Sequence, residues 1–307
     1  MVQTKAYYDF SDFLSKRFPF KVQKITVNGG FTCPNRDGSI GYGGCTYCNN
    51  QTFHPDYCDP AKGISVQLEE GIHFFARKYP EMKYLAYFQA YTNTYGSFRR
   101  LKSKYEEALA YPGVVGLIIG TRPDCMTDEL LEYLSEKNKH HFILLEYGVE
   151  STSDTTLKRI NRGHSFQSAI HTIRQTAQKG IPNGIHLILG LPGEDRAQML
   201  SHADVISQLP VNTLKLHQLQ IIRHTAMAKE YAEHPERFRL FTPEDYASLI
   251  VDFAERLRPD IAIDRFTSQS PKELLIAPDW GMKNFEFTTF VHREFAKRKT
   301  CQGARYS

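Results

Sequence analysis

Three thiols stand close together in a stretch that packs no core. The segment NGGFTCPNRDGSIGYGGCTYCNNQTF, residues 28–53, carries Cys33, Cys45 and Cys48, half of the chain's six cysteines. Glycine at this density gives the backbone freedom and no side chain to bury, so the thiols are placed for chemistry rather than packing. A disulfide is disfavoured. The N-terminal MVQTKAYYDFSDFLSKRF is amphipathic and carries acids, unlike a secretory leader, so the expected compartment is the cytoplasm, where thiols stay reduced. Two metal readings stay open. A structural zinc closes with four ligands, and His54 or Cys58 would have to complete the set. Zinc ligands usually come as two close pairs, and only Cys45 and Cys48 are close. An iron–sulfur cluster is also held by cysteine thiolates. Three thiolates on four irons leave one iron open to a substrate or cofactor.

The loop needs a scaffold, and the pattern of the chain supplies one. Near-continuous apolar runs recur at Lys24–Asn28, Lys83–Tyr91, Val114–Gly120, Phe142–Glu150, Gly184–Pro192, Thr213–Ile222 and Ile261–Phe266, as strands buried on both faces require. Helix patterns lie between them. One is capped by Thr127, one runs from Ser165 to a stop at Gly180, and one has Thr242 as cap, Pro243 in its first turn and Pro259 beyond its end. Alternation of this kind implies parallel βαβ units. Six or seven of them predict an α/β fold, a partial (β/α)6 TIM-like barrel with terminal extensions. The expected division is an N-terminal extension over 1–23, the barrel over 24–270 and a basic C-terminal extension over 271–307. Chemistry on such barrels sits at the C-terminal ends of the strands. The cysteine loop, QAYTNTYGS, GTRPD, EYGVES and GLPGE all follow strands there.

The 307 residues are 41% apolar and 23% charged, a soluble globular balance. No apolar run approaches the roughly 18 residues of a membrane span, so no membrane partner is expected. The net charge is +4. From Lys283 onward six basic residues face two acids, which equals the whole excess. A basic tail favours an anionic partner such as RNA; a solvated terminal helix explains it as well. A second basic run, Arg99–Tyr105, follows Tyr91, Tyr95 and Phe98, aromatics able to stack on unpaired bases.

The sequence resembles the radical S-adenosylmethionine (SAM) superfamily. CTYC, with Tyr47 as the aromatic, matches its C-x-Φ-C ending, although eleven residues separate Cys33 from Cys45 where the usual spacing is short. TRPDC and EYGVESTSDTTLKRINRGHS resemble the branch that contains the Elongator catalytic subunit, and GFTCPNRDGSIGYGGCTYC with NRGH is similar to the YhcC/YtqA-type family related to it. The resemblance spans nearly the whole chain. It implies a [4Fe–4S] cluster on Cys33, Cys45 and Cys48, and SAM on its open iron, cleaved by one electron to a 5′-deoxyadenosyl radical. It implies a reductant such as flavodoxin or ferredoxin, and tRNA with a modified wobble uridine as substrate. By alignment Gln89, Thr92 and Asn93 meet the SAM amino group, Glu150 the ribose hydroxyls, Arg162 the carboxylate, and the backbone of Leu189 and Gly190 the adenine.

Other residues are less marked. An N-cap role accounts for Asp124 as well as a place at the mouth beside Arg122 does. Glu146, His186, His217 and Gln218 alternate with core positions and are candidates for the lumen. Cys58, Cys125 and Cys301 are expected to be ordinary buried thiols rather than ligands. Alternatives to a radical SAM enzyme on tRNA are the same enzyme on a small molecule or peptide, a zinc-stabilised nucleic-acid-binding module, and a cluster that only transfers electrons or senses.

Overall fold

The structure, a computed structural model, describes residues 5–52, 55–75 and 82–306. Nine strands occur among them: β1 (Val22–Val27), β2 (Lys83–Phe88), β3 (Val114–Thr121), β4 (Phe142–Glu150), β5 (Asn183–Leu189), β6 (Thr213–Gln218), β7 (Ile221–Ile222), β8 (Ala262–Arg265) and β9 (Leu275–Ala277). Seven form one parallel sheet in the order β1-β2-β3-β4-β5-β6-β8. The connecting helices are α1 (Phe10–Ser15), α2 (Ile64–Phe75), α3 (Phe98–Leu109), α4 (Asp128–Asn138), α5 (Asp154–Arg159), α6 (Phe166–Gln178), α7 (Arg196–Ser207), α8 (Ala226–Glu233), α9 (Pro243–Arg256) and α10 (Asn284–Arg298). This is the partial α/β barrel expected, with the seventh strand included.

Strand alternation builds two cores. Ala86 and Phe88 of β2, Leu117 and Ile119 of β3, and Ile143 and Leu145 of β4 face the outer helices. Their neighbours Leu85, Tyr87, Ile118 and Leu144 converge inward on Phe10, Phe13 and Leu14 of α1. Four residues from three strands can reach one short helix only because the sheet curls around it. The N-terminal segment is therefore the plug of the barrel. Its Asp9 caps α1 by accepting from the Asp12 amide at 2.8 Å and forms a parallel bridge to Ile263 of β8. The two edge strands, β1 and β8, are tied by a side-chain pair: Lys24 Nζ lies 2.6 Å from Asp264 Oδ2.

The run Thr213–Ile222 does not continue as one strand. Gln218 exchanges hydrogen bonds with the backbone of Ser268, accepting from its amide at 2.7 Å and donating to its carbonyl at 3.1 Å. The chain then turns at Leu219–Gln220, and β7 pairs antiparallel with β9. This ribbon carries residues 268–272 to one wall of the barrel mouth.

The basic tail packs rather than dangles. Phe287, Val291 and Phe295 of α10 are buried in the outer core with α9. Arg298 reaches Asp252 and Glu294, each at 2.6 Å. Beyond α10, Gln302 donates to the carbonyls of Ile261 at 2.8 Å and Arg258 at 2.9 Å. Those carbonyls precede β8, so the tail ends where the strands begin, at the opposite end from the cysteine loop.

Candidate active site

The cysteine loop is fixed by a polar frame drawn from three other segments and from its own Arg36. Asn35 Nδ2 donates to the Asn161 carbonyl at 2.5 Å, and Asn161 Nδ2 returns a bond to the Gly44 carbonyl at 2.9 Å. The Thr46 amide donates to the Ile160 carbonyl, and its carbonyl accepts from the Met227 amide at the start of α8. Arg100 of α3 holds the Gly30 carbonyl at 2.6 Å, and Arg36 holds that of Cys48 at 2.7 Å. Gly44 has φ +81°, and a Cβ there would meet the Arg36 guanidinium at 2.9 Å. Glycine is required where the loop doubles back on itself.

Cys33, Cys45 and Cys48 line one cavity of about 740 Å³, with Tyr47, Gln89, Thr92, Glu150 and Arg162. Donors point at the sulfurs: Arg162 Nη1 lies 3.5 Å and Asn35 Nδ2 3.7 Å from Cys45 Sγ, and Asn50 Nδ2 3.5 Å from Cys48 Sγ. Burial and the neighbouring Cys45 sulfur push the Cys48 thiol up to about 11, a penalty that a cationic metal centre relieves by taking the thiolate as ligand. Arg162 is buried between Cys45, the Gly148 carbonyl at 2.5 Å and the Glu150 carboxylate at 3.8 Å, and its Nε has no partner. An unpartnered buried guanidinium N–H beside three thiols suits a bound carboxylate.

The remaining cysteines stand elsewhere. Cys58 donates its thiol to the Thr26 carbonyl at 3.1 Å, and burial pushes it up to about 12. Cys125 follows Arg122 and Asp124, which pair at 2.8 Å, and burial raises its thiol to about 12. Cys301 is exposed in the tail. Among the described residues no three His, Cys, Asp or Glu side chains gather tightly enough for a single ion. His54 lies outside them. The donor set fits a multi-iron cluster, whose thiolates stand further apart than the ligands of one zinc.

Glu150 is aimed by its backbone. It has φ +70° at the end of β4, where the register with β5 slips. The next residue, Ser151, donates to Glu194 Oε1 at 2.5 Å; Glu194 Oε2 lies 3.2 Å from His202 Nε2, and His202 Nδ1 lies 2.7 Å from Thr152 Oγ1. This buried chain locks the strand end and helps maintain a left-handed conformation uncommon for a residue with a Cβ.

Deeper in the lumen lies a charged layer above the α1 plug. Glu146 of β4 meets Lys215 of β6 at 2.6 Å and His186 of β5 at 3.1 Å. Lys215 also reaches Asp264 at 3.2 Å and the Tyr87 hydroxyl at 2.9 Å. Burial opposes ionisation of both carboxyls; Lys215 beside Glu146 and Lys24 beside Asp264 nevertheless hold them below the usual range. Burial holds His217 well below its ordinary value, with Arg265 adding to the effect. Glu146, His186, His217 and Arg265 line the same cavity as the cysteines.

The comparisons with known proteins agree with this arrangement. The radical SAM superfamily profile matches residues 30–206, and the radical SAM C-terminal domain matches 211–297. The chain is 34% identical over 299 residues to the uncharacterised protein YtqA of Bacillus subtilis, covering 97% of this chain and 92% of YtqA. It is 38% identical over 272 residues to protein YhcC of Escherichia coli, covering 88% and 86%. The archaeal Elp3 of Methanocaldococcus infernus superposes with a TM-score of 0.69 at 16% identity, over 92% of this chain and 64% of that one. This chain belongs to the radical SAM superfamily. Members use a [4Fe–4S] cluster and SAM, and the thiols, their donors and the free Arg162 N–H fit both.

Within the radical SAM frame the expected residues divide. Tyr47, Gln89, Thr92, Glu150 and Arg162 line the cavity; Asn93, Leu189 and Gly190 do not. Asn93 is a clamp, its Nδ2 donating to the Phe88 and Gly120 carbonyls at 3.1 and 2.7 Å. Leu189 is buried in the outer core, and a Cβ on Gly190 would meet Phe241 at 3.0 Å. Ile188 and Leu219 take the apolar lining instead. Of Tyr91, Tyr95 and Phe98, Tyr91 lines the cavity: Tyr95 is bonded to Ser39 at 2.6 Å, and Phe98 packs on Tyr133. Sequence reading missed Asn35, Asn50, Lys24, Lys215, Asp264 and Arg265. Lys24, Lys215 and Asp264 carry a signal, since a charge in an otherwise apolar strand run faces either solvent or a polar lumen; Arg265 faces inward only through the β6–β8 register slip.

Proposed function

We propose that this radical SAM enzyme acts on tRNA, at the side chain of a wobble uridine. The observation that carries the reading is the cavity: one continuous space reaches from the cysteine loop to the charged layer, and its rim carries Tyr91 and Lys272. At about 740 Å³ it lies in the upper part of the range of about 300–1,000 Å³ for small-ligand sites, which suits SAM together with an extruded nucleoside. A ring such as Tyr91 at the mouth offers a stacking face for an unpaired base. The resemblance to the Elongator radical SAM domain supports the same substrate class.

The geometry supports the following roles. Cys33, Cys45 and Cys48 hold the cluster, which, when bound, supplies the electron that cleaves SAM to a 5′-deoxyadenosyl radical. Arg162 presents its free Nε to the SAM carboxylate, and Gln89 and Thr92 present oxygens to the ammonium. Glu150, held at the end of β4, accepts from the ribose hydroxyls. Ile188 and Leu219 flank the adenine. Ile188, Leu219 and Ile222 give the cavity an apolar side that would limit water beside a reactive species. The test is mass spectrometry of tRNA nucleosides from cells with and without this protein, followed by anaerobic turnover on tRNA from the deficient cells. A modified uridine that disappears without the protein and returns in vitro is expected. Identical nucleoside profiles would remove tRNA and return the substrate to small molecules or peptides.

A further inference from the structure

The lumenal layer is unbalanced. Lys24, Lys215 and Arg265 face two carboxylates, Glu146 and Asp264. Each lysine is bonded: Lys24 to Asp264 at 2.6 Å, Lys215 to Glu146 at 2.6 Å and to Asp264 at 3.2 Å. The Arg265 guanidinium has no hydrogen bond and no ion pair with any described side chain, yet its charge acts on the Tyr87 and His217 side chains.

The backbone explains how it came to face inward. β6 and β8 pair with a register slip after Leu214, so that Arg265, not Asp264, stands opposite Lys215. A bulge of this kind turns two successive side chains to one side of the sheet. Asp264 meets the lysines of the lumen, and Arg265 lines the cavity beside it. A guanidinium carries five N–H donors and is not deprotonated in proteins; half-buried on the cavity wall, Arg265 has none of them taken by a side chain among the described residues, so they are free for an acceptor that enters the cavity. Two imidazoles border it. His186 and His217 pack against each other at a tilt of 46°, with ring centroids 5.6 Å apart. His186 is turned toward Glu146 and His217 Nδ1 toward Ser268, which leaves His217 Nε2 without a protein partner among the described residues.

We infer that Arg265, with His217 beside it, forms an oxyanion subsite at the cavity floor that grips a carboxylate or phosphate group of the substrate. The subsite is separate from the Arg162 position: it lies at the β6–β8 side of the lumen, and Arg162 lies against the cysteine loop. The inference rests on the reading that the cavity takes a substrate in addition to SAM, and it adds that this substrate brings a negative charge to the floor. Arg265 orients that group by a paired hydrogen bond, and the Glu146–Lys215–Asp264–Lys24 layer beneath holds the floor rigid.

The test uses the cluster-reconstituted protein with small probes and no tRNA, so its outcome is independent of the RNA reading. Acetate, its neutral isostere acetamide, and methyl phosphate are titrated at constant ionic strength, and the unfolding midpoint is followed, since a ligand that binds only the folded state raises it saturably. Acetate or methyl phosphate should raise the midpoint and acetamide should not. Whichever anion acts identifies the group as carboxylate or phosphate. In Arg265→Gln the apparent dissociation constant should rise about ten- to a hundredfold, the loss of a charge-assisted bond. Arg265→Lys should recover part of it. Iron content and the ligand-free midpoint of each variant report folding directly. Equal response to acetate and acetamide, or an unchanged anion response in Arg265→Gln, overturns the subsite.

Discussion

Arg162 Nη1 lies 3.5 Å from the sulfur of Cys45, and the Nε of the same buried guanidinium has no partner. Under the proposed assignment, cluster and cofactor would share this cation. Hydrogen bonds to sulfur and nearby charge set the potential of an iron–sulfur centre. Removing Arg162 therefore acts on both.

Arg162→Ala should weaken SAM binding about ten- to a hundredfold, the worth of a charge-assisted hydrogen bond. It should also lower the reduction potential of the cluster, because an electron added near a lost positive charge is less stabilised. Calorimetry with SAM and a redox titration followed by electron paramagnetic resonance measure the two. Weaker SAM binding with an unmoved potential would separate Arg162 from Cys45.

The cysteines should sort by position. Cys33→Ala, Cys45→Ala and Cys48→Ala each remove a thiol that lines the cavity and should each lose the four-iron complement. Cys58→Ala and Cys301→Ala should keep it, since Cys58 bonds the Thr26 carbonyl and Cys301 is in the tail. Iron and sulfide analysis of the purified variants decides. A full complement in Cys45→Ala would break the assignment.

Much of this was legible in the chain because the signals are local. Strands buried on both faces read as apolar runs, and Thr127, Ser165 and Thr242 each cap a helix by accepting an amide three residues on. The cysteine loop and the Glu150 and Arg162 segments were visible as motifs. What was not legible depends on register. The slip that turns Arg265 inward has no local signature, and Asn93 reads as a polar turn until Phe88 and Gly120 bracket it. Gly190 looked like room for adenine, but Phe241, distant in sequence, occupies that side. The tail's charge count likewise could not show that Arg298 is bound by Asp252 and Glu294.

The lumenal ion layer should make stability depend on acid. Glu146 and Asp264 have folded pKa values below their unfolded ones. The folded state thus binds fewer protons in the acid range. Their contribution is fully present above the unfolded carboxylate values of about 3.9–4.3 and is lost as pH falls through the depressed folded values. Glu146→Gln leaves Lys215 facing a neutral amide in a buried layer and should cost about 3–5 kcal/mol at pH 7. Denaturant melts across pH 3–7 should show that penalty shrinking toward the acid end. A penalty independent of pH would mean that the carboxyl is not ionised in the folded protein.

RNA contact should come from the mouth, not from the tail. Lys272 lines the cavity rim, and Arg223 is exposed where its carbonyl accepts from Asn49 of the cysteine loop at 3.1 Å. Lys297 and Lys299 are exposed too, but they lie at the end of α10, near the segment that packs where the strands begin. Phosphate contacts release counterions, and each one lost flattens the salt dependence of binding by about 0.7–0.9 of a unit. Arg223→Gln with Lys272→Gln should therefore weaken tRNA binding and flatten the slope by up to about two such steps. Lys297→Gln with Lys299→Gln should leave affinity and slope as they are. Arg298 is kept out of both sets, because its pairing with Asp252 makes any substitution a change in the packing of α10 on α9. Filter binding over a salt series compares the two double variants with the parent protein. A flattened slope in the tail variant alone would place the RNA along α10 and away from the cavity rim, and a slope unchanged in both would remove these four cations from the interface.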